Sequence, residues 1–333
     1  MDLQELKERQ GWSLAKKIDH SLLVIETFIS RTKGMCYVAF SGGKDSTALL
    51  DLVRIIDKTI PAVFVNTGNE WPDIIKFVRH LRDDKGYNIQ EIHPKMRPYQ
   101  VWQKYGFPLV SKSCSQGLYE IDHARDKEKV LSRIREAREK GGSFGMVSQR
   151  WEWLMDEPFK VSHLCCKMLK KDPSHNYTKE TGRNPILGTM ASESKLRMMS
   201  YVQTGGCNSF GENGEKIKST PLAIWMEDDV WAYIKDRNLE IAEIYHKGVD
   251  RTGCVGCGFG IYVADDQRFD VLYNLEPRYY QAIMNYTNNG HTYREAVRKV
   301  LAVTGKELPD ENGRIYFPDE FEKSINRVYD VEN

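Results

Sequence analysis

A short apolar run, Met35-Cys36-Tyr37-Val38-Ala39-Phe40, stops at Ser41-Gly42-Gly43-Lys44-Asp45-Ser46-Thr47, and Ala48-Leu49-Leu50-Asp51-Leu52-Val53 resumes at helical spacing. Strand, glycine loop and helix in that order constrain this chain more than any other feature. A second apolar run, Ala62-Val63-Phe64-Val65-Asn66-Thr67-Gly68, leads into Pro72-Asp73-Ile74-Ile75-Lys76-Phe77-Val78, where Pro72 suits a first helical turn. A third strand is expected over 88–93 and a fourth over 185–190, after a long charged helical insert from about 117 to 140. Residues 13–32 carry Leu14, Ile18, Leu22, Ile25 and Ile29 at helical spacing and predict an amphipathic N-terminal helix. This alternation predicts an α/β fold: a doubly wound, mostly parallel sheet with an N-terminal helix and a mainly helical C-terminal extension. The glycine loop then sits at a strand's carboxyl end, where such sheets bind ligands near their switch point. Residues 204–214 and 287–290 read as exposed loops, and the polar residues after about 304 as a loosely attached tail.

The 333 residues suit about two domains, or one large α/β unit with appended helices. Lys plus Arg total 48 against 47 Asp plus Glu, so no global field advertises nucleic acid or membrane, and only a local basic patch could. The charged, polar start has no apolar export segment, and no run of ~18 uncharged apolar residues follows. A soluble, cytoplasmic chain with no membrane partner is expected. Seven cysteines, an odd number, argue against a disulfide framework.

The loop 41–47 is suited to an anion. Backbone N–H groups and a helix N-terminus can point at it, and glycines permit close approach. Ser41, Ser46 and Thr47 add hydroxyls, Lys44 a point charge, and Asp45 a carboxylate suited to Mg²⁺. The spacing is neither Gly-x4-Gly-Lys-Ser/Thr nor Gly-x-Gly-x-x-Gly. It resembles the PP-loop, Ser-Gly-Gly-x-Asp-Ser, of the ATP pyrophosphatase and phosphoadenosine-phosphosulfate (PAPS) reductase superfamily, whose fold is Rossmann-like, of the PP-loop/HUP type. In that superfamily the loop holds the pyrophosphate of ATP or the corresponding anion of a sulfonucleotide.

The resemblance continues along the chain. Asn66-Thr67-Gly68-Asn69-Glu70-Trp71-Pro72 is similar to the family's Asp-Thr-Gly…Phe-Pro segment, with Asn66 where Asp is usual and Trp71 where Phe is usual. Gly188-Thr189-Met190-Ala191-Ser192-Glu193-Ser194-Lys195-Leu196-Arg197 resembles its Gly-x-Arg-x-x-Glu-Ser-x-x-Arg segment, with Met190 replacing the first Arg. Pro221 to Ile234 resembles its Pro-Leu…Trp…Asp-Val-Trp helix, which plain core packing also explains. The resemblance implies that Ser41, Gly42, Gly43, Ser46, Thr47, Thr67, Gly68, Gly188, Glu193 and Arg197 bind nucleotide or pyrophosphate. Lys44, Asp45 and Arg251 are then the catalytic residues, with Mg²⁺ bound alongside ATP or a sulfonucleotide. It divides the chain into a helical segment over 1–33, a PP-loop nucleotide-binding domain over 34–245, and a Cys-x-x-Cys loop plus helical extension over 246–333.

Cys165-Cys166 and Cys254-Val255-Gly256-Cys257 form two pairs of thiols. Three readings stand: an iron–sulfur cluster, a zinc site, or unligated thiols. Adjacent ligands reach one small ion awkwardly and suit the separate corners of a cubane better. The pattern also resembles that of adenosine-phosphosulfate (APS) reductases, where it holds a [4Fe-4S] cluster. His163, Lys167, Lys170, Lys171 and Arg251 flank the pairs, either as a solvated charged face or as groups that lower thiolate pKa values and attract phosphate or sulfate.

Thioredoxin-dependent APS and PAPS reductases attack sulfur with a cysteine in a C-terminal Glu-Cys-Gly-Leu-His type motif, whereas here no cysteine follows Cys257. Cys207 is the one substitute, and a structural cysteine is the alternative reading of it. The intact Ser-Gly-Gly-Lys-Asp-Ser loop resembles ATP-cleaving members instead. Loop and cysteines together resemble the PAPS reductase-like subunits of DNA phosphorothioation systems. The resemblance therefore implies cleavage of ATP to AMP and pyrophosphate to drive sulfur transfer to an acceptor such as nucleic acid. It also implies a sulfur-donor protein and nucleic-acid-modification partners. An APS or PAPS reductase and a non-catalytic nucleotide- and cluster-binding module are the alternatives.

Overall fold

The computed structural model describes residues 2–140, 147–211 and 216–312. Two helices open the chain, α1 (Leu3–Gln10) and α2 (Leu14–Arg31). Ser13 caps α2 through its hydroxyl, and Asp2 caps α1, which the sequence pattern did not mark. Then β1 (Cys36–Phe40), α3 (Lys44–Ile56), β2 (Ala62–Val65), α4 (Pro72–Asp83) and β3 (Ile89–Ile92) alternate as expected. The chain continues through α5 (Pro98–Tyr105), β4 (Leu109–Val110), α6 (Lys112–Asp122) and α7 (Lys127–Glu139). The charged insert is thus two helices rather than one: the Asp126 carboxylate accepts the Lys129 N–H at 2.9 Å and starts α7 afresh.

Next come α8 (Leu164–Cys166), a wide π turn at Lys167–Lys171 that runs on from it, α9 (Asp172–Thr181), β5 (Asn184–Leu187) and α10 (Lys195–Thr204). The rest is β6 (Asn208–Ser209), β7 (Lys218–Ser219), α11 (Glu227–Asp236), β8 (Gly258–Phe259), α12 (Arg268–Leu275), α13 (Pro277–Met284), β9 (Thr287–Asn288), β10 (His291–Thr292), α14 (Tyr293–Ala302) and α15 (Pro309–Asn312).

Six strands form the central sheet in the order β3-β2-β1-β5-β7-β6. Every pairing is parallel except β6 with β7, and Val38 sits in register with Ala62 on one side and Ile186 on the other. The period-two alternation of β1 sorts its side chains between two layers. Cys36, Val38 and Phe40 enter the large core with Phe28 of α2 and Leu49 of α3, while Tyr37 packs with Val63 and with Tyr177 of α9. The sheet is therefore wound on both faces. Successive strands run one way from β1 through β2 and β3 and the other way through β5 and β7, so the loop 41–47 leaves β1 at the switch point.

Two expected exposed loops are corrected. Residues 287–290 form a hairpin, with Asn289 and Gly290 both at positive φ, and Asn288 is 1% exposed. Its side chain bonds the carbonyls of Trp102 and Gln103 and the N–H of Lys160, a long-range demand that an Asn-Asn-Gly signal does not reveal. In 204–214, Gly205 ends α10 in the left-handed conformation, Cys207 is buried and β6 follows; 212–214 lie outside the described residues. Of the polar tail, 304–312 are described and end in α15. No described helix is long and apolar enough to cross a membrane.

Candidate functional site

Gly42 turns the chain out of β1 with φ of +73°, and a Cβ there would meet Ile74 Cγ2 at 2.8 Å and Val78 Cγ2 at 2.9 Å on α4. Gly43 is the N-cap of α3, and its missing side chain leaves room for Thr252 Oγ1 and Tyr245 Oη. The hydroxyls are turned inward. Ser46 Oγ donates to the Gly43 carbonyl at 2.9 Å and accepts from the Ser41 N–H at 3.2 Å, and Thr47 Oγ1 also donates to Gly43 O. Ser46 and Thr47 thus shape the loop, while the Lys44 N–H donates to Tyr245 Oη at 2.8 Å.

Lys44 is only 5% exposed, with Nζ 3.5 Å from Asp45 Oδ1 and 3.1 Å from Glu227 Oε1. Burial opposes its charge, but Asp45 and Glu227 hold its pKa above the ordinary value. Burial pushes the Asp45 carboxyl up, against the pull of Lys44 and Arg251, and its Oδ1 is buried without a hydrogen bond among the described residues. Gly188, after β5, lets that loop close on the start of α3, since a Cβ there would stand 3.1 Å from the Asp45 carbonyl.

Glu193 accepts from the Met190 N–H at 2.8 Å, pairs with Arg197 and stands 3.9 Å from Arg251. It thereby organises two guanidinium groups beside the glycine loop. Burial, with the like charge of Arg251, lowers the Arg197 pKa. Arg251 is 76% exposed at the rim. Lys44, Arg197 and Arg251 therefore bring three cations to the carboxyl ends of β1 and β5, a setting for a polyanion. Sequence reasoning missed Glu227, Tyr245 and Thr252. The acidic first turn of α11 was the one visible signal, and the other two arrive through tertiary packing.

Thr67 and Gly68 lie at the end of β2 in a turn closed by Glu70. Its carboxylate accepts from the Thr67 N–H at 2.9 Å, Thr67 Oγ1 at 2.7 Å and the Asn69 N–H at 3.2 Å. Gly68 has φ of +77° and its backbone is exposed. Asn69 also ties this turn to the Cys-x-x-Cys loop, its carbonyl accepting from the Val255 N–H at 2.8 Å and its Oδ1 from the Gly256 N–H at 3.1 Å.

The two cysteine pairs meet. Parallel pairing of β4 with β8 sets the segment after Cys257 beside Leu109–Val110, and Phe107 bridges to Val161, just before Cys165. Burial raises the Cys165 thiol well above its usual pKa, and Cys254, Cys166 and Cys257 raise it further. Burial likewise pushes Cys257 up to about 11. Burial raises Cys254 above its ordinary pKa; Lys170 pulls it down, as the sequence led one to expect, but does not offset burial. Lys167 is engaged with Asp172 at 2.9 Å. The sulfurs have donors: Trp102 Nε1 reaches Cys165 Sγ at 3.2 Å, and the Phe259 N–H reaches Cys257. Among the described residues no group of three or more His, Cys, Asp or Glu side chains closes to the spacing of one metal ion.

Cys207 lies elsewhere, 3.7 Å from His20 Nε2 and 3.8 Å from Tyr201 Oη, and burial pushes its pKa up to about 11.

Compared with known proteins, residues 35–117 and 120–258 match the phosphoadenosine phosphosulfate reductase domain. An uncharacterised protein of Methanocaldococcus jannaschii is 28% identical over 71% of this chain, which spans 45% of that protein's length. An adenosine 5′-phosphosulfate reductase of Chelativorans sp. is 24% identical over 79% of this chain and 83% of its own. A sulfate adenylyltransferase subunit 2 of Shewanella sp. is 23% identical over 70% of this chain and 66% of its own.

Proposed function

This chain belongs to the phosphoadenosine phosphosulfate reductase domain family, and on that premise we propose that it cleaves ATP to AMP and pyrophosphate to drive sulfur transfer. The observation that carries the reading is the pairing of Lys44 with Asp45, whose Oδ1 is buried and without a hydrogen bond at the mouth of the glycine loop. A buried carboxylate oxygen whose neighbouring cation, the Lys44 ammonium, stands off at 3.5 Å fits a hard cation, so Asp45 would hold Mg²⁺. When bound, the ion neutralises phosphate charge. An acceptor oxygen forms a bond to the α-phosphorus while the bond from that phosphorus to the α,β-bridging oxygen breaks, and the electron pair leaves with pyrophosphate. Lys44 balances the charge that grows on the leaving group, and Arg197 and Arg251 hold the remaining phosphate oxygens. Sulfide-level sulfur from a donor protein then forms a bond to the adenylylated acceptor, a nucleic acid in our reading, as the bond from that acceptor to the AMP oxygen breaks and AMP leaves with the electron pair.

Cys165, Cys166, Cys254 and Cys257 would hold a [4Fe-4S] cluster. The thiols stand near enough to raise one another's pKa, and an adjacent pair such as Cys165-Cys166 suits the separate corners of a cubane better than one small ion. Trp102, Lys170 and the Phe259 N–H supply the sulfur-directed donors that such a site uses. When bound, the cluster supplies an iron–sulfur centre that braces two loops beside the nucleotide.

The relative named as an APS reductase favours a second reading, reductive cleavage of a sulfonucleotide. That reaction needs a nucleophilic thiolate, and Cys207 is buried with a raised pKa, so the thiol would come from outside. Anaerobically purified protein is tested with Mg-ATP for pyrophosphate and with APS or PAPS plus thiol for sulfite. Pyrophosphate release that falls roughly 10²- to 10³-fold in Lys44→Ala and Asp45→Ala supports ATP cleavage. Sulfite without pyrophosphate establishes the reductase, and neither product leaves a binding module.

A further inference from the structure

Asn69 is 1% exposed, and three of its four polar groups are accounted for. Its N–H donates to Thr67 Oγ1 at 3.1 Å and to Glu70, its carbonyl accepts from Val255, and its side-chain Oδ1 accepts from Gly256. The amide orientation is set by that last bond, because only the oxygen can meet a backbone N–H. The fourth group, Nδ2, is buried with no partner among the described residues.

A buried amide donor left empty keeps its full desolvation penalty, so native structures rarely leave one unsatisfied. Asn69 grips the backbone of Val255 and Gly256, the two residues between Cys254 and Cys257, and Gly256 is also held by Tyr293 Oη on its carbonyl at 3.0 Å. A Cβ on Gly256 would lie 2.8 Å from Ile283 and 3.0 Å from Trp102, so this backbone is packed closely against both. Cys254 and Cys257 flank the two residues that Asn69 grips, so sulfur is the acceptor chemistry this loop supplies.

We propose that Asn69 Nδ2 is a hydrogen-bond donor to a sulfur of the iron–sulfur cluster held by the four cysteines, a role that rests on the cluster reading above. Hydrogen bonds to cluster sulfurs favour the reduced, more negative state and so raise the reduction potential. Asn69 then makes the β2 end turn, which carries Thr67 and Gly68, part of what sets the cluster's electronics.

The test begins with iron and acid-labile sulfide in the anaerobically purified parent protein; their absence refutes the cluster reading and this proposal with it. With cluster present, the parent is labelled selectively with side-chain ¹⁵N-asparagine, reduced, and examined by electron–nuclear double resonance. A ¹⁵N coupling that disappears in Asn69→Asp supports the bond, and no coupling overturns it whether or not any variant folds. Redox titration gives a second reading. Asn69→Leu, neutral and without a donor, is expected to keep its iron and show a lower midpoint potential. A fall in Asn69→Asp alone is a charge effect and overturns the proposal, as does an unchanged potential in Asn69→Leu.

Discussion

Gly42→Ala tests whether the glycine loop is clamped by α4 or merely turned by its own backbone. Two costs are predicted at this position. The first is conformational: an L-residue at φ of +73° costs about 1–2 kcal/mol, offset in part by the ~0.4–1 kcal/mol gained from a less flexible unfolded chain. The second is steric, because the new Cβ would stand 2.8 Å and 2.9 Å from the branched methyls of Ile74 and Val78. Overpacking of this kind costs about 1–3 kcal/mol. Gly34 separates the two. Its φ of +72° is nearly the same, yet a Cβ there meets nothing within 4 Å. Gly34→Ala therefore carries the backbone cost alone, and Gly42→Ala is expected to be less stable than Gly34→Ala by about 1–3 kcal/mol. At about 2–4 °C per kcal/mol in larger domains, the second variant should melt roughly 2–12 °C below the first. Thermal and urea unfolding of both variants without nucleotide measure the difference. Equal stability within about 0.5 kcal/mol would show that the contact with α4 is not a constraint and would refute the argument for Gly42.

Two further predictions concern charge. The Asp45 carboxyl is raised in the folded protein, so its ionisation is penalised by folding, and the penalty sets in as pH rises from the unfolded pKa through the folded one. Asp45→Asn should accordingly melt higher than the parent at neutral pH without nucleotide while losing Mg-dependent turnover, and a lower melting temperature would contradict it. Cys207, pushed up to about 11, is about one part in a thousand thiolate at pH 8, so alkylation in the native protein should run roughly 100-fold slower than for free cysteine. Labelling at the rate of free cysteine, followed by mass spectrometry, would restore it as a candidate nucleophile.

What the sequence revealed was what a few neighbouring residues decide together. The loop 41–47 is legible because strand, glycines and helix are contiguous, and Pro72 marks α4 for the same reason. Partners drawn from far along the chain left no such trace. Tyr245 and Thr252 lie some 200 positions from the loop they support, and their local sequence says only that they belong to a turn. The outward or inward aim of a hydroxyl is equally invisible, which is why Ser46 and Thr47 read as anion donors although they donate to Gly43. The lysines near the cysteines were legible as charge, but their effect depends on burial, and burial outweighs them at Cys254.

The meeting of the cysteine pairs shows the same limit from another side. Cys165-Cys166 sits where a helix begins and widens into a π turn, and Cys254 and Cys257 sit in an irregular loop. What joins them is the pairing of two-residue strands β4 and β8, too short to leave a period-two pattern, together with the grip of Asn69 on Val255 and Gly256. Asn69 belongs to a turn whose shape is fixed by Glu70, and Glu70 lies close enough to Lys170 and Cys254 to influence both. One turn therefore presents the exposed backbone of Gly68 at the sheet's ligand-binding end and a buried amide at the cysteines. Thr67, Glu70 and Asn69, joined by hydrogen bonds, form the contiguous link between the two ends, and Asn69 Nδ2, unpaired among the described residues, is its one open donor.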